Sequence, residues 1–186
     1  MTTYVALLRG INLGPRNKVP MAGLRETITA LGHRAVRTHL NSGNAVFTAA
    51  GERTAEAVAE ELSTALADRF GLTVPVLVRT APYLRAVVEA NPYPQGGFEG
   101  SRLHLTFYDG PVDAERFAGI DAAALGPDDF RLGDRVLYLR TPEGLGRSRL
   151  AAELARPART RGLVATTRTW NTVLKLLAMA REGEQG

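Results

Sequence analysis

Cysteine is absent from this chain of 186 residues. Its absence excludes disulfide bonds, thiolate nucleophiles and cysteine-bound metals. Long apolar runs are also missing, because none approaches the roughly 20 residues that a membrane-spanning helix needs. The amino-terminal apolar stretch lacks a preceding basic segment and is interrupted by Arg9, unlike a signal peptide. We therefore expect a cytoplasmic protein without a membrane partner.

The common catalytic motifs are missing as well. The three histidines, His33, His39 and His104, are scattered and lack the spacing of a metal site. No Gly-x-Ser-x-Gly sequence occurs. Asp128 and Asp129 lie beside a predicted hairpin, where adjacent strand residues face opposite ways. The sequence therefore predicts no metal and no cofactor, and it assigns no catalytic residue. An aromatic platform for RNA is not expected, because the third predicted strand carries one aromatic residue.

Lysine is scarce, and arginine supplies most of the positive charge. The net charge is +4 and the isoelectric point about 9.8. The cations are concentrated in residues 1–50, where Glu26 is the only acid, and in residues 145–175, where Glu153 is the only acid. Such concentrations are typical of proteins that bind nucleic acids or other anions. The two segments form one basic surface only if folding brings them together.

Apolar periodicity and turn residues divide the first half of the chain into six elements. Tyr4–Leu8 is apolar throughout, which is typical of a strand covered on both faces. Pro20 suits the first turn of a helix, Gly32 suits its end, and Pro75 indicates an edge strand. The predicted elements are a strand at Tyr4–Arg9, a helix between Pro20 and Gly32, a hairpin of strands at Ala35–Leu40 and Ala45–Thr48, a helix from Thr54 to Phe70, and a strand at Val74–Arg79.

The second half repeats this order, although no sequence repeat is visible. A helix from about Pro82 to Ala90 leads into Asn91–Gly97, which is too rich in proline and glycine for a regular element. The elements predicted to follow are a strand at Leu103–Tyr108, a helix from Pro111, strands at Phe130–Leu132 and Val136–Arg140 around a Gly133-Asp134 turn, a helix at Ser148–Ala155, a strand at Leu163–Thr166, and a helix at Trp170–Ala180.

This order predicts an α+β protein of two tandem ferredoxin-like units, each a βαββαβ motif with an antiparallel sheet, plus a C-terminal helix. We place the first unit at residues 1–80, a linker helix and Pro/Gly loop at residues 81–100, and the second unit with the C-terminal helix at residues 101–186. An open ferredoxin-like sheet carries helices on one face only, whereas Tyr4–Leu8 is apolar on both. The C-terminal helix is therefore expected to pack between or against the units, with the basic segments brought together.

Three polar clusters are candidates for a binding site: the loop after the first strand, the hairpin, and the last strand-to-helix turn. A helix start has free backbone N–H groups and a partial positive charge, so an arginine beside it favours an anion. The partner predicted from these clusters is a phosphorylated small molecule or a nucleic acid. The predicted ligand-binding residues are Arg9, Asn12, Lys18, Ser42, Asn44, Thr166, Thr167, Arg168, Trp170, Asn171 and Lys175.

Each cluster also has a structural interpretation. Arg9 could form an ion pair, and the hairpin residues could serve only their turn. Thr169 or Asn171 could cap the last helix, with Trp170 in the core. The short segment Gly144–Ser148 resembles a phosphate cradle, but it is shorter than a P-loop and lacks the lysine of that motif.

Four motifs occur in order from the first strand to the last helix. They are Leu7-Leu8-Arg9-Gly10-Ile11-Asn12, Met21-x-x-Leu24, Ser42-Gly43-Asn44-x-Val46-Phe47 and Ala165-Thr166-x-Arg168-x-Trp170-Asn171-Thr172-Val173-x-Lys175-Leu176. Together these motifs resemble the bacterial DUF1697 family. The resemblance implies a tandem arrangement of ferredoxin-like units and no established activity. Thr169 departs from the asparagine that the family usually shows, and threonine is an acceptable helix cap there.

Three functions remain open. The first is binding of a phosphorylated or other anionic ligand, such as a nucleotide or nucleic acid, in a basic cleft between the two units. The second is an enzyme that acts on a small phosphorylated substrate, which needs a titratable group near the basic residues. The third is an interaction protein whose motifs are purely structural and pin the units together. The acid–base candidates for the enzyme are Glu26, Glu153, His39 and His104.

Overall fold

The computed structural model describes residues 1–49, 51–93 and 99–184. Residues 94–97 of the predicted Pro/Gly loop lie outside the described residues. The helices are α1 Met21–Ala30, α2 Ala55–Phe70, α3 Ala81–Glu89, α4 Ala122–Leu125, α5 Arg149–Leu154, α6 Pro157–Thr160 and α7 Trp170–Glu184. The strands are β1 Thr2–Leu8, β2 Arg34–His39, β3 Asn44–Ala49, β4 Val76–Thr80, β5 Leu103–Tyr108, β6 Asp129–Gly133, β7 Val136–Arg140 and β8 Ala165–Thr169.

The strands form two four-stranded antiparallel sheets, ordered β2-β3-β1-β4 and β6-β7-β5-β8. The predicted α+β class, the β2–β3 hairpin and the edge position of β4 are therefore confirmed. The chain divides into two compact units: unit 1 is Met1–Arg85 with Lys175–Gly186, and unit 2 is Ala86–Leu174. That residues 1–80 and 101–186 are separate domains stays a prediction. No helix among the described residues is both long and apolar enough to cross a bilayer.

The core of unit 1 lies between α1, α2 and one face of the first sheet. Tyr4, Ala6 and Leu8, alternate residues of β1, point into it. The start of α2 is fixed by Thr54, as the sequence predicts, because the Thr54 hydroxyl accepts the Ala57 N–H at 3.1 Å. The helical residues that complete this core include Leu24, Ile28, Val58, Leu62 and Leu66.

The opposite face of the first sheet is buried too, as the apolar run predicts, because Val5 points to it and is fully buried. Arg37 lies on this face, since it is paired with Val46, which is paired with Val5. The Arg37 guanidinium donates to the Met179 carbonyl and pairs with Glu182 at 2.6 Å. The C-terminal part of α7 therefore lies against this face within unit 1.

His33 is buried beside the core of unit 1. Its ring packs against Phe47 with a centroid distance of 4.9 Å, and its Nε2 lies 3.6 Å from the Glu61 carboxylate. Neither ring nitrogen has a hydrogen-bond partner among the described residues. Burial lowers the pKa of His33 below its ordinary value of 6.5, and the attraction of Glu61 opposes this shift.

We expect acid to destabilise the protein through His33. Because its pKa is lower in the folded state, the unfolded state takes up the proton first as the pH falls below 6.5. The free energy of unfolding is retained above this pH and falls below it, by up to about 1.4 kcal/mol per pH unit for one group. Urea unfolding at several pH values measures the fall, and His33→Leu should make it shallower. An equally steep fall in the variant would contradict this assignment, since the buried His104 contributes in both proteins.

The core of unit 2 lies on one face of the second sheet. Tyr108, Leu137 and Leu139 point into it and pack with Phe117 and Leu150. The central strand β5 has the predicted bounds, because its apolar residues alternate with polar ones over its whole length.

Two predictions in unit 2 are wrong. The single helix predicted from Pro111 is replaced by a 3-10 turn and the short helix α4. The Asp113 side chain caps the start of the 3-10 turn, and the Asp121 side chain caps the start of α4. The hairpin turn is Asp134-Arg135, because Gly133 still pairs with a residue of β7 and Arg135 adopts a left-handed φ of 52°.

The last strand also differs from its prediction. β8 is Ala165–Thr169, three residues beyond the predicted end at Thr166, and α7 begins directly after it. The polar residues that suggested a turn are therefore paired with β5. Threonine is β-branched and suits a strand. The short helix α6 was not predicted at all.

Candidate functional site

Connections from three parts of unit 1 meet at the carboxyl end of β1. The Leu8 N–H donates to the Gly43 carbonyl at 2.8 Å, which ties the β2–β3 hairpin to β1. The Arg9 N–H donates to the Pro75 carbonyl at 2.9 Å, which ties in the segment before β4. The loop from β1 to α1 therefore begins beside the hairpin.

The Asn12 side chain joins this loop and the hairpin into one surface, which we call the β1 loop surface (residues 9–19 and 40–43). Its Nδ2 donates to the Val19 carbonyl at 2.9 Å and to the Asn41 carbonyl at 2.8 Å, and its Oδ1 accepts the Val19 N–H at 3.0 Å. Asn12 has a φ of 56°, a left-handed conformation that asparagine tolerates better than most residues. Asn12 therefore fixes the loop on the hairpin.

The hairpin is shaped by Asn44 and Ser42. The Asn44 Nδ2 donates to the His39 carbonyl at 2.8 Å and to the Ser42 Oγ at 3.0 Å. Asn44 is fully buried, whereas Ser42 is exposed. Gly43 packs closely on the loop, because a Cβ there would come within 2.7 Å of the Ile11 Cδ1. The hairpin tip and the loop therefore fit together with no room for a side chain.

Arg9, Arg16 and Lys18 are exposed on the β1 loop surface. Within the described residues, none of the three forms an ion pair. The surface contains no acidic residue, so its positive potential is not neutralised locally. Leu13 and Leu40 are also exposed there, by 86% and 57%. The β1 loop surface therefore presents three exposed cations beside two exposed apolar side chains.

The third predicted cluster lies in unit 2. Arg168 is 8% exposed, and its Nη1 donates to the Thr166 Oγ1 at 2.7 Å and to the Thr167 carbonyl at 2.9 Å. Thr167 points to the face of the sheet opposite that of Arg168, and its hydroxyl shares a hydrogen bond of 2.8 Å with its cross-strand partner Thr106. Burial lowers the pKa of Arg168 to about 10, so its guanidinium stays charged at neutral pH. These polar groups make contacts within the sheet.

The start of α7 is capped by Thr169. Its Oγ1 accepts the Thr172 N–H at 3.4 Å and lies 3.0 Å from the Thr172 Oγ1. Trp170 is buried, and Asn171 is exposed on the first turn. Lys175 is exposed further along α7, in the part that belongs to unit 1. The capping interpretation of Thr169 is therefore confirmed.

The end of β4 repeats the arrangement at the end of β8. Arg79 is buried, and its Nη1 donates to the Val78 carbonyl at 2.8 Å, as Arg168 does to the carbonyl before it. Thr80, like Thr169, accepts the N–H of the residue three positions further on, at 3.2 Å. The last strand of each sheet therefore ends in an Arg-Thr pair that leads directly into a helix. This repeat is not evident in the sequence, because the residues around the two Arg-Thr pairs differ.

The predicted site residues fall into two groups. Arg9, Asn12, Lys18, Ser42 and Asn44 come together on or beneath the β1 loop surface. The remaining residues of the prediction lie on β8 and α7: Thr166, Thr167, Arg168, Trp170, Asn171 and Lys175. The prediction missed Arg16, Leu13 and Leu40, although the absence of acids from residues 1–25 was a usable signal for Arg16.

Three of the four acid–base candidates are paired or buried, whereas His39 is half-buried at the end of β2. Glu26 pairs with Arg69, and Glu153 pairs with Arg156 at 2.9 Å. Burial lowers the pKa of His104. In Gly144–Ser148, the serine hydroxyl caps α5 by accepting the Ala151 N–H at 2.8 Å. The described part of the chain holds no group of three or more side chains suited to a metal ion.

Comparison with known proteins identifies a family for this chain and a solved structure with a similar fold. A family model described as a protein of unknown function (DUF1697) matches residues 1–138. The closing motif on β8 and α7 lies outside these residues. No curated protein matches. The conserved bacterial protein SP0830 from Streptococcus pneumoniae is similar in fold, with a TM-score of 0.72 and 24% identity over 96% of this chain and 98% of that one. The chain therefore belongs to the DUF1697 family, whose function is unknown.

Proposed function

We propose that this protein binds a phosphorylated or otherwise anionic ligand, a nucleotide or a nucleic acid, on the β1 loop surface. The observation that carries the proposal is the group of exposed cations Arg9, Arg16 and Lys18, which have no ion-pair partner among the described residues. Arginine and lysine recognise phosphate oxygens by charge-assisted hydrogen bonds.

The way in which the loop is held favours binding. Asn12 ties both ends of the loop and the hairpin through three hydrogen bonds. A loop that is already ordered loses less conformational entropy when it binds a ligand. The exposed Ser42 adds a hydroxyl that can donate to a phosphate oxygen.

The cluster on β8 and α7 contributes less in this proposal. The Thr166 hydroxyl bonds Arg168, and the Thr167 hydroxyl bonds Thr106. Asn171, exposed at the start of a long helix, is the residue of that cluster best suited to an anion.

We also propose that each unit is ferredoxin-like. In support, both sheets have the same order of four antiparallel strands, with the first strand between the third and the fourth. This is the order of a split βαβ pair.

The test is a titration with a nucleotide panel and a short mixed oligonucleotide at two salt concentrations. We expect saturable binding that weakens about tenfold or more in the double variant Arg9→Gln/Lys18→Gln. If the oligonucleotide is the ligand, the slope of log K against log salt should fall by about 1.4, because two phosphate contacts are lost at about 0.7 each. A small nucleotide should show a weaker salt dependence and one site per chain.

The matched control is Arg34→Gln/Arg149→Gln, which removes two exposed cations elsewhere. Its affinity should stay within about twofold of the parent protein at moderate salt, because distant surface charges are screened. Equal weakening by both double variants would show that binding follows net charge alone and would contradict the proposed site.

A further inference from the structure

Two leucine side chains are exposed on the β1 loop surface. Leu13 is 86% exposed and Leu40 is 57% exposed, and among the large apolar side chains of the described residues Met1 alone is more exposed than these two. Leu40 also has a left-handed φ of 58°, which is uncommon for a bulky residue and easier for asparagine or glycine. Neither burial nor backbone preference accounts for leucine at this position, whereas a contact outside the fold would.

One hydrogen bond brings the two leucines close to each other. The Asn12 side chain donates to the Asn41 carbonyl at 2.8 Å. Leu13 follows Asn12 in the chain, and Leu40 precedes Asn41. The leucines therefore lie on two adjacent turns that are bonded to each other.

The cations of the surface belong to the same closed loop. The Asn12 N–H donates to the Asn17 carbonyl at 3.0 Å, and Asn17 lies between Arg16 and Lys18 in the chain. The Asn17 side chain donates at 3.4 Å to the carbonyl of the glycine that follows Arg9. The β1 loop surface thus combines positive charge and apolar side chains within a few residues of each other.

We infer that the ligand of the β1 loop surface is a single-stranded nucleic acid, an inference that rests on the anion site proposed above. Cations bind the phosphates of any nucleic acid, whereas exposed leucines need an apolar partner. In a single strand the faces of the unstacked bases are accessible and can pack on Leu13 and Leu40. In a duplex these faces are covered by stacking, and a mononucleotide has one base for two leucines.

An anionic membrane would also match cations and leucines, but less well. The two leucine side chains together contain fewer carbon atoms than one myristoyl chain, which by itself gives only marginal membrane binding. Beside Leu40, the exposed polar side chains of Asn41 and Ser42 would have to leave water in a bilayer. The same groups can form hydrogen bonds with the edges of unpaired bases. The observations therefore favour the nucleic acid.

The experiment measures the affinity of the full-length protein for a single-stranded oligonucleotide, a hairpin duplex of the same composition, a nucleoside triphosphate and phosphatidylglycerol vesicles. We expect the single strand to bind about tenfold more tightly than the duplex, although the duplex has the higher charge density. In Leu13→Ser/Leu40→Asn the affinity for the single strand should fall about tenfold, because two apolar contacts with bases are lost. Asparagine suits the left-handed φ at position 40, so the variant should fold.

Salt dependence separates the role of the leucines from that of the cations. The leucine variant keeps every phosphate contact, so its slope of log K against log salt should equal that of the parent, unlike the slope of Arg9→Gln/Lys18→Gln. The matched control is Leu145→Ser/Leu174→Gln, which changes two exposed leucines of unit 2 and should bind as the parent does.

The two proposals fail in different ways. Absence of binding to every phosphate ligand would overturn the anion site and this inference together. Equal affinity for single strand and duplex, binding of the triphosphate alone, or equal weakening by the leucine variant and its control would overturn this inference and leave the anion site standing. So would a leucine variant that binds the single strand as the parent does. Tighter binding to the vesicles than to the single strand would assign the surface to a membrane instead.

Discussion

Replacing Gly43 by alanine is expected to lower the free energy of unfolding by about 3 kcal/mol, from about 1 to 2 kcal/mol of backbone strain and about 1 to 3 kcal/mol of overpacking. Gly43 has a φ of 82°, a conformation that residues with a Cβ rarely adopt. The new Cβ would also lie 2.7 Å from the Ile11 Cδ1 and 2.7 Å from the Leu8 Cβ. Urea unfolding of the variant measures the loss.

Gly10→Ala is the control for backbone strain alone. Gly10 lies on the same surface with a φ of 70°, and a Cβ there would meet nothing within 4 Å. We expect it to cost about 1 kcal/mol. If the two alanine variants lost the same stability, the close packing of the hairpin on the loop would be wrong.

Asn12→Ala is expected to cost about 3 kcal/mol and most of the anion affinity. The variant loses two partly buried hydrogen bonds and one exposed one, together worth about 2 kcal/mol, and it puts alanine at a left-handed φ, which costs about 1 kcal/mol. Without these bonds the loop would no longer hold Arg9 and Lys18 in fixed positions. Unfolding in urea and the oligonucleotide titration measure the two effects.

Asn17→Ala is the matched control for Asn12. Asn17 lies in the same loop with a φ of 55°, but its side chain makes one longer hydrogen bond, 3.4 Å to the Gly10 carbonyl. We expect a loss of about 1 kcal/mol and little change in affinity. Equal effects of the two substitutions would mean that Asn12 does not organise the surface.

The fold could be predicted from the sequence wherever apolar residues define an element. The continuous apolar run of β1 and the alternation in β5 gave the central strands of both sheets. β8 was predicted too short because Thr167 and Arg168 are polar, and polar residues favour a loop when their tertiary contacts are unknown. Arg168 is buried in the structure and bonds groups of its own strand.

The site could be predicted only in part, because its residues meet through contacts between distant positions. Sequence patterns identified Arg9, Asn12 and Ser42 as unusual. They could not show that Asn12 bonds the backbone of Asn41, 29 residues away. Nor could they show that Asn44 is fully buried and therefore shapes the hairpin from beneath. The turn preferences of individual residues predict each turn by itself. The assembly of the two turns into one surface depends on packing between residues far apart in the sequence.

The most direct test of the β1 loop surface is NMR of the backbone amides during titration with the short oligonucleotide and with inorganic phosphate. The account predicts that the largest shift changes occur in residues 9–19 and 40–43, and that they weaken in Arg9→Gln/Lys18→Gln. Changes confined to residues 165–172, with the two loops unaffected, would contradict it and would move the anion site to β8 and the start of α7.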